Sequence, residues 1–172
     1  MEACVSNQFQ RDLVALVPKL RRFAFSLTCN AADGDDLVQS ACEKALRNRD
    51  QFQAGSRLDS WMYRIVQTAW LDDMRKRKVR GPSVDPDDIE LGDEGRGASL
   101  PEDRMMLASV TTAMASLPDP QRVVLSLVAI EGLSYKEAAD VLEVPVGTVM
   151  SRLSRAREAL LPHLGISRGG RQ

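Results

Sequence analysis

Residues 133–160, LSYKEAADVLEVPVGTVMSRLSRAREAL, leave few folds open to this chain. Ser134 followed by Glu137 has the spacing of a capping box, in which each residue's side chain satisfies the other's orphan backbone amide. Ala138, Ala139, Val141 and Leu142 then give a short helix one small packing face, and Glu143-Val144-Pro145 makes the turn. Val149, Leu153, Ala156 and Leu160 recur at steps of four, three and four, which predicts a second helix. At about 100° per residue, Gly147, Ser151, Ser154 and Arg155 fall on its opposite face, flanked by Met150, Arg152 and Arg157. Small hydroxyls and a fork-shaped Arg suit a helix that enters a major groove. A solvated basic helix would show this last feature alone. The capped helix and turn in front of it favour a helix-turn-helix.

The rest of the chain also reads as helix. Leu13, Leu16, Val17, Leu20, Phe23, Ala24 and Leu27 share a helical period, with Pro18 as an interruption or a start. A second run, Leu37, Val38, Ala41, Cys42, Ala45 and Leu46, follows NAADGDD, a turn with acids for the helix N-terminus. A third, Leu58, Trp61, Met62, Ile65, Val66, Ala69 and Trp70, has Asp59 or Ser60 as its cap and closes in RKRKVRG before Pro82. Beyond residue 103, Leu107, Val110, Ala113, Met114 and Leu117 line one helix, and RVVLSLVAI forms a short apolar one. The expectation is an all-α chain without strands.

Charge divides the chain where its helices pause. Residues 1–80 carry 14 Lys/Arg against 10 Asp/Glu, residues 81–103 one against eight, and residues 104–172 eight against six. The middle stretch, GPSVDPDDIELGDEGRGASLPED, has too little apolar surface to offset the entropy of ordering it. It reads as a flexible acidic linker between two small helical domains, 1–80 and 104–172. The net charge of -1 thus hides two mildly basic blocks.

Several chemistries lose their footing. Cys4, Cys29 and Cys42 form no CxxC pair, and one histidine, His163, lies in the closing LLPHLG, so neither a zinc site nor a disulfide framework is expected. Asp35/Asp36, Asp72/Asp73 and Asp87/Asp88 have no His, Ser or Gly-rich loop beside them, and no phosphate-binding glycine motif occurs. No catalytic residue, metal or cofactor is assigned. The longest apolar run, VVLSLVAI, is far short of a membrane span, and Glu2 precedes no secretory pattern, so cytoplasm is expected.

A second basic surface lies on the third helix, where Arg64, Gln67, Leu71, Arg75 and Lys78 share one side and Arg75, Lys76, Arg77, Lys78 and Arg80 crowd its end. Such a run is usually a solvated terminus. Trp61 and Trp70, however, sit at the edges of the apolar face, where a ring can stack on an unpaired base or simply join the core. For Trp70 the two readings weigh evenly.

In order along the chain, GDDLVQSACEKALRNRDQF (34–52), LDSWMYRIVQTAWLDDMRKRK (58–78) and LPDPQRVVLSLVAIEGLSYKEAADVLEVPVGTVMSRLSRAREAL (117–160) resemble bacterial sigma factors of the extracytoplasmic-function class. The resemblance covers about residues 10–162. It implies that Asp36, Leu37, Val38 and Gln39 dock on the polymerase beta-prime clamp. Trp61, Arg64, Gln67, Arg75, Lys76, Arg77 and Lys78 would meet the minus-ten element, with Tyr63 at the start of the melting helix. Thr148, Met150, Ser151, Arg152, Ser154 and Arg155 would read the minus-thirty-five element, with this second domain on the beta flap. The linker would thread toward the polymerase active-site channel.

The implied partners are core RNA polymerase, promoter DNA and an inhibitory anti-sigma factor, released by a stress signal. Gln67 stands where many members have Asn, an amide one methylene longer. Met150 and Ser154 replace an Arg and an aromatic of some members, leaving Ser151, Arg152 and Arg155 to carry the reading. With so few cations, the isolated chain is expected to bind promoter DNA weakly and salt-sensitively. Two rivals remain: a conventional helix-turn-helix regulator, which would bind duplex without polymerase, and a sigma mimic that titrates an anti-sigma factor. Such mimics usually carry a receiver domain, and none is read here.

Overall fold

The computed structural model describes residues 2–53, 55–80 and 101–164; residues 81–100, most of the acidic stretch, lie outside these. Helix α1 spans Glu2–Thr28, α2 Ala31–Arg47 and α3 Leu58–Arg80. Helices α4 (Pro101–Ser116), α5 (Asp119–Leu125), α6 (Tyr135–Leu142) and α7 (Val146–Leu160) complete the set. Among the described residues no strand forms.

Leu13, Leu20, Phe23, Ala24 and Leu27 give α1 its buried face. Pro18 does not interrupt it. Pro18 is exposed, and Val14, whose carbonyl would have received the missing amide, is 70% exposed, so water can take that acceptor. The helix closes at Cys29, which adopts a left-handed φ of 56° and donates its amide to Phe25 O at 2.8 Å.

Asn30 then caps α2, its Oδ1 accepting from Asp33 N at 3.0 Å. The expected turn NAADGDD is therefore mostly helix. Gly34 inside it is explained by close packing: a Cβ there would lie 3.3 Å from the Phe25 nitrogen and 3.4 Å from its Cα. Backbone cannot swing aside as a side chain can. Gly34→Val is expected to cost about 1–3 kcal/mol by overpacking, more than the ~0.5–1 kcal/mol a better helix former returns. An unchanged urea midpoint for this variant would show that α1 and α2 separate freely.

Helix α3 starts ahead of both expected caps. Asp59 sits in its first turn, where Oδ1 accepts from Ser60 N at 2.7 Å and Arg57 pairs with the carboxylate at 2.8 Å. Met62, Tyr63, Val66, Ala69 and Trp70 are its buried residues. Helix α4 packs through Ala113 and Met114, with Leu117 buried just beyond its end, whereas Leu107, expected on the same inner face, is 52% exposed.

The predicted apolar helix over RVVLSLVAI also changes character. It is α-helical only to Leu125; Ser126–Ile130 form a π-helical turn, closed by Glu131 N donating to Ser126 O at 3.0 Å. Gly132 follows at φ +74°, a value that suits glycine, and Leu133 N returns to Leu127 O. This extra-residue turn fixes where Glu131 points. Buried side chains from both halves, Leu13 through Ala156, form one connected apolar cluster.

Candidate nucleic-acid interface

The helix-turn-helix is built as its sequence predicts. Ser134 Oγ accepts from Glu137 N at 3.2 Å, and Ser134 N donates to Glu137 Oε2 at 2.8 Å. Those bonds, with Arg57 beside it, hold the Glu137 carboxyl below its ordinary pKa. Glu143 closes α6 in the left-handed region at φ 54°, an unusual conformation for a residue with a Cβ. Val149, Leu153 and Ala156 are buried and Leu160 is half-buried. Met150, Ser151, Ser154 and Arg155 are exposed, while Thr148 and Arg152 are partly covered. Ser151 Oγ donates to Thr148 O at 3.0 Å. The predicted division of α7 into an inner and an outer face is therefore present residue by residue.

On α2 the motif splits. Asp36 and Gln39 are exposed, with Gln39 Nε2 donating to Glu43 Oε1 at 3.3 Å. Leu37 and Val38 are buried in the core, so within this chain they position the helix. Beside this face a cleft of about 600 Å³ separates α2 from the end of α3, lined by Asp36, Ser40, Lys44, Asp72, Arg75 and Lys76 among others.

The basic end of α3 is laced with ion pairs. Arg75 meets Asp72 at 3.0 Å; Arg77 meets Asp33 at 3.2 Å and Asp73 at 2.8 Å; Lys78 lies 3.6 Å from Asp119. The Asp33 hydrogen bond pushes the Arg77 pKa up. These are exposed pairs, each worth little and exchangeable for a phosphate. Lys76 is exposed on the same helix and Gln67 is partly covered.

The two tryptophans part company. Trp70 is 1% exposed, with the Arg122 guanidinium 5.5 Å from its ring centroid and its Nε1 without a hydrogen-bond partner. It belongs to the core, which settles the even choice left by the sequence. Trp61 is only partly buried, in a cluster with Phe9 and Phe52 at ring separations of 6.2 and 5.4 Å.

Three charged residues that sequence reasoning passed over, together with Arg64, tie the two helical groups together. Glu131, its side chain fully covered, accepts from Arg22 Nε and Nη2, both at 2.9 Å, and from Tyr63 OH at 2.7 Å. Burial, then this bond to Glu131, pushes the Tyr63 phenol up. Arg122 donates to Leu27 O, Ala115 O and Leu117 O. Arg57 pairs with Glu137 of α6 as well as with Asp59. Arg64, expected to face DNA, instead donates to Glu143 Oε1 at 2.8 Å and to Asp140 O at 2.7 Å. Nothing in a linear pattern marks partners about 70 to 110 residues away.

The thiols are not poised for reaction. Burial pushes Cys29 up, partly offset by the Arg122 guanidinium, and burial likewise raises Cys42. Both are free and protonated near neutral pH. Alkylation of Cys29 by iodoacetamide at pH 7.5 is expected to be at least tenfold slower in the folded chain than in urea, about the factor that burial of a thiol implies. Equal rates would indicate an accessible, reactive thiol.

Comparison with known proteins bears on all of these surfaces. Residues 107–160 match the model of "Sigma-70, region 4", and residues 13–67 match the "Sigma2 domain of PhyR". The chain is 37% identical over 156 residues to the ECF RNA polymerase sigma factor EcfG of Rhodopseudomonas palustris, covering 91% of this chain and 84% of that protein. It is also 37% identical to the ECF RNA polymerase sigma-E factor of Escherichia coli K12, covering 76% and 73%. Among solved structures it resembles the sigma factor RpoE of Bartonella quintana in complex with the anti-sigma factor NepR, with TM-score 0.76, 30% identity and coverage of 94% and 99%. It also resembles CnrH in complex with the cytosolic domain of CnrY, with TM-score 0.67, 28% identity and coverage of 95% and 94%.

Proposed function

This chain belongs to the extracytoplasmic-function sigma factors and is an alternative RNA polymerase sigma factor; from that premise we propose how its surfaces divide the work. Residues 1–80 act as sigma domain two and the helices from α4 onward as domain four, with the linker expected over 81–103 ending where α4 begins at Pro101. Asp36 and Gln39 offer side chains to the beta-prime clamp, on a helix held in place by Leu37 and Val38. Trp61, Arg64, Gln67 and the Arg75–Lys78 cluster serve the minus-ten element, where exposed, exchangeable ion pairs can yield to phosphates. Thr148, Met150, Ser151, Arg152, Ser154 and Arg155 serve the minus-thirty-five element, with domain four on the beta flap.

The observation that carries this reading is the exposed outer face of α7 on a capped helix-turn-helix, within the segment matching sigma region 4. The relative solved with the anti-sigma factor NepR supports an anti-sigma partner for this chain too. The chain works by binding and strand separation in the cytoplasm, and the polymerase performs the chemistry. Among the described residues no helix is long and apolar enough to cross a membrane.

Transcription in vitro on a genomic DNA pool, with core polymerase plus or minus this chain, tests the proposal. Discrete new start sites sharing upstream elements are expected. Absence of both new transcripts and core binding would move the weight to a regulator or a mimic.

A further inference from the structure

Helix α7 carries two large apolar side chains that its packing does not use. Val146 is 39% exposed and Met150 52%, and neither joins the apolar cluster or the half-buried residues packed against it. Four positions apart in the first two turns of the helix, they lie on one side of it. A single exposed apolar residue needs no explanation on an ordinary surface. These two, however, stand at the N-terminal end of the second helix of a helix-turn-helix, the end that meets base edges.

The surroundings of Met150 leave it standing clear. Gly147 and Ser154, three positions before it and four after, are its neighbours along the outer face, and both are small and exposed. No packing within the chain demands a glycine at 147: a Cβ there would meet nothing within 4 Å, and its φ is not positive. Such a glycine weakens the helix with no return inside the fold, and close approach of another molecule accounts for it. Ser151 Oγ spends its hydrogen on Thr148 O at 3.0 Å, so beside Met150 it presents lone pairs, and Arg155 supplies exposed donors one turn further on. Polar base edges thus have their partners on α7, and Met150 is left for something apolar.

We propose that Met150 is a specificity-determining residue that packs on the 5-methyl group of a thymine in the minus-thirty-five element, with Val146 behind it. This rests on the sigma-factor reading above and deepens it. In the major groove the thymine methyl is the apolar feature of the base-pair edges; cytosine offers an amino donor, and the purines offer N7 with a carbonyl or an amino group. A thioether has no N–H or O–H to give guanine, so Met150 gains nothing from a G·C pair. Its unbranched, polarizable chain adapts to a methyl group, and the exposed site leaves it free to do so. Covering one methyl in this way is worth about fourfold in affinity.

Transcription by core polymerase with the full chain tests this at a promoter found as above, each thymine of the upstream element being replaced in turn by deoxyuridine. That replacement deletes the methyl group and keeps every hydrogen-bonding edge. At one thymine, half-saturation with the wild-type chain should rise about three- to fivefold. Met150→Ala should weaken the unmodified promoter by at least that factor and no longer distinguish thymine from uracil there, while Met150→Leu restores the distinction. Both variants change an exposed side chain and should melt with the wild type. A wild type indifferent to uracil at every thymine, or an upstream element without a T·A pair, would overturn the proposal. So would a Met150→Ala variant that still distinguishes the two bases. Transcripts missing with the wild-type chain on unmodified DNA would instead overturn the sigma-factor reading, and this inference with it.

Discussion

Trp70→Ala is expected to cost roughly 3–5 kcal/mol of stability, the range for truncating a fully buried aromatic. The indole is 1% exposed at the meeting of α3 with Arg122, whose guanidinium lies over the ring. Its removal opens a cavity and takes away the surface on which Arg122 rests while that residue bonds the ends of α1 and α4. For a chain of this length the melting temperature should drop by about 10 °C or more. Transcription should fall in proportion to the folded fraction at every promoter. Trp70→Phe, which keeps most of the apolar volume, should recover most of both. A base-stacking role predicts the reverse: near-normal melting with a selective loss of DNA opening. Thermal unfolding followed by circular dichroism decides between them.

Arg155→Ala is expected to act on recognition alone. Arg155 is exposed on the outer face of α7, opposite Val149, Leu153 and Ala156, so its removal should leave stability within about 0.5 kcal/mol. If it forks onto a base edge, loss of that contact costs about 1–3 kcal/mol, roughly 5- to 150-fold in promoter discrimination. The measurement is competition transcription between a promoter and its minus-thirty-five mutants. Uniform weakening across all of them would make Arg155 a phosphate contact instead, with a shallower salt slope to match.

Some of this was legible in the residues. The helix-turn-helix is a local object: its capping box, its turn and its two faces lie within 28 residues, so periodicity and cap chemistry describe it almost completely. The helices of the first half were legible for the same reason, and the resemblance of three ordered segments identified the family. Boundaries were less so. Asn30 is a capping residue, but it stands in NAADGDD, a run of turn-prone residues that read as a turn throughout. Only the crossing of α1 explains a glycine inside α2. Pro18 looked like an interruption until its exposed face was known.

What the sequence determined by itself was the set of helices, the two faces of α7 and the family, because these depend on spacing within a few turns. Tertiary structure alone decided which charges are spent on each other. Trp70 became core rather than a stacking platform, Leu37 and Val38 were packed into the core, and Arg64 found bonds to Asp140 and Glu143 of α6 and its cap. Glu131 acquired partners 68 and 109 positions away. Such pairings arise when packing brings distant backbones together and burial forces each polar group to find a partner. No local pattern encodes that demand.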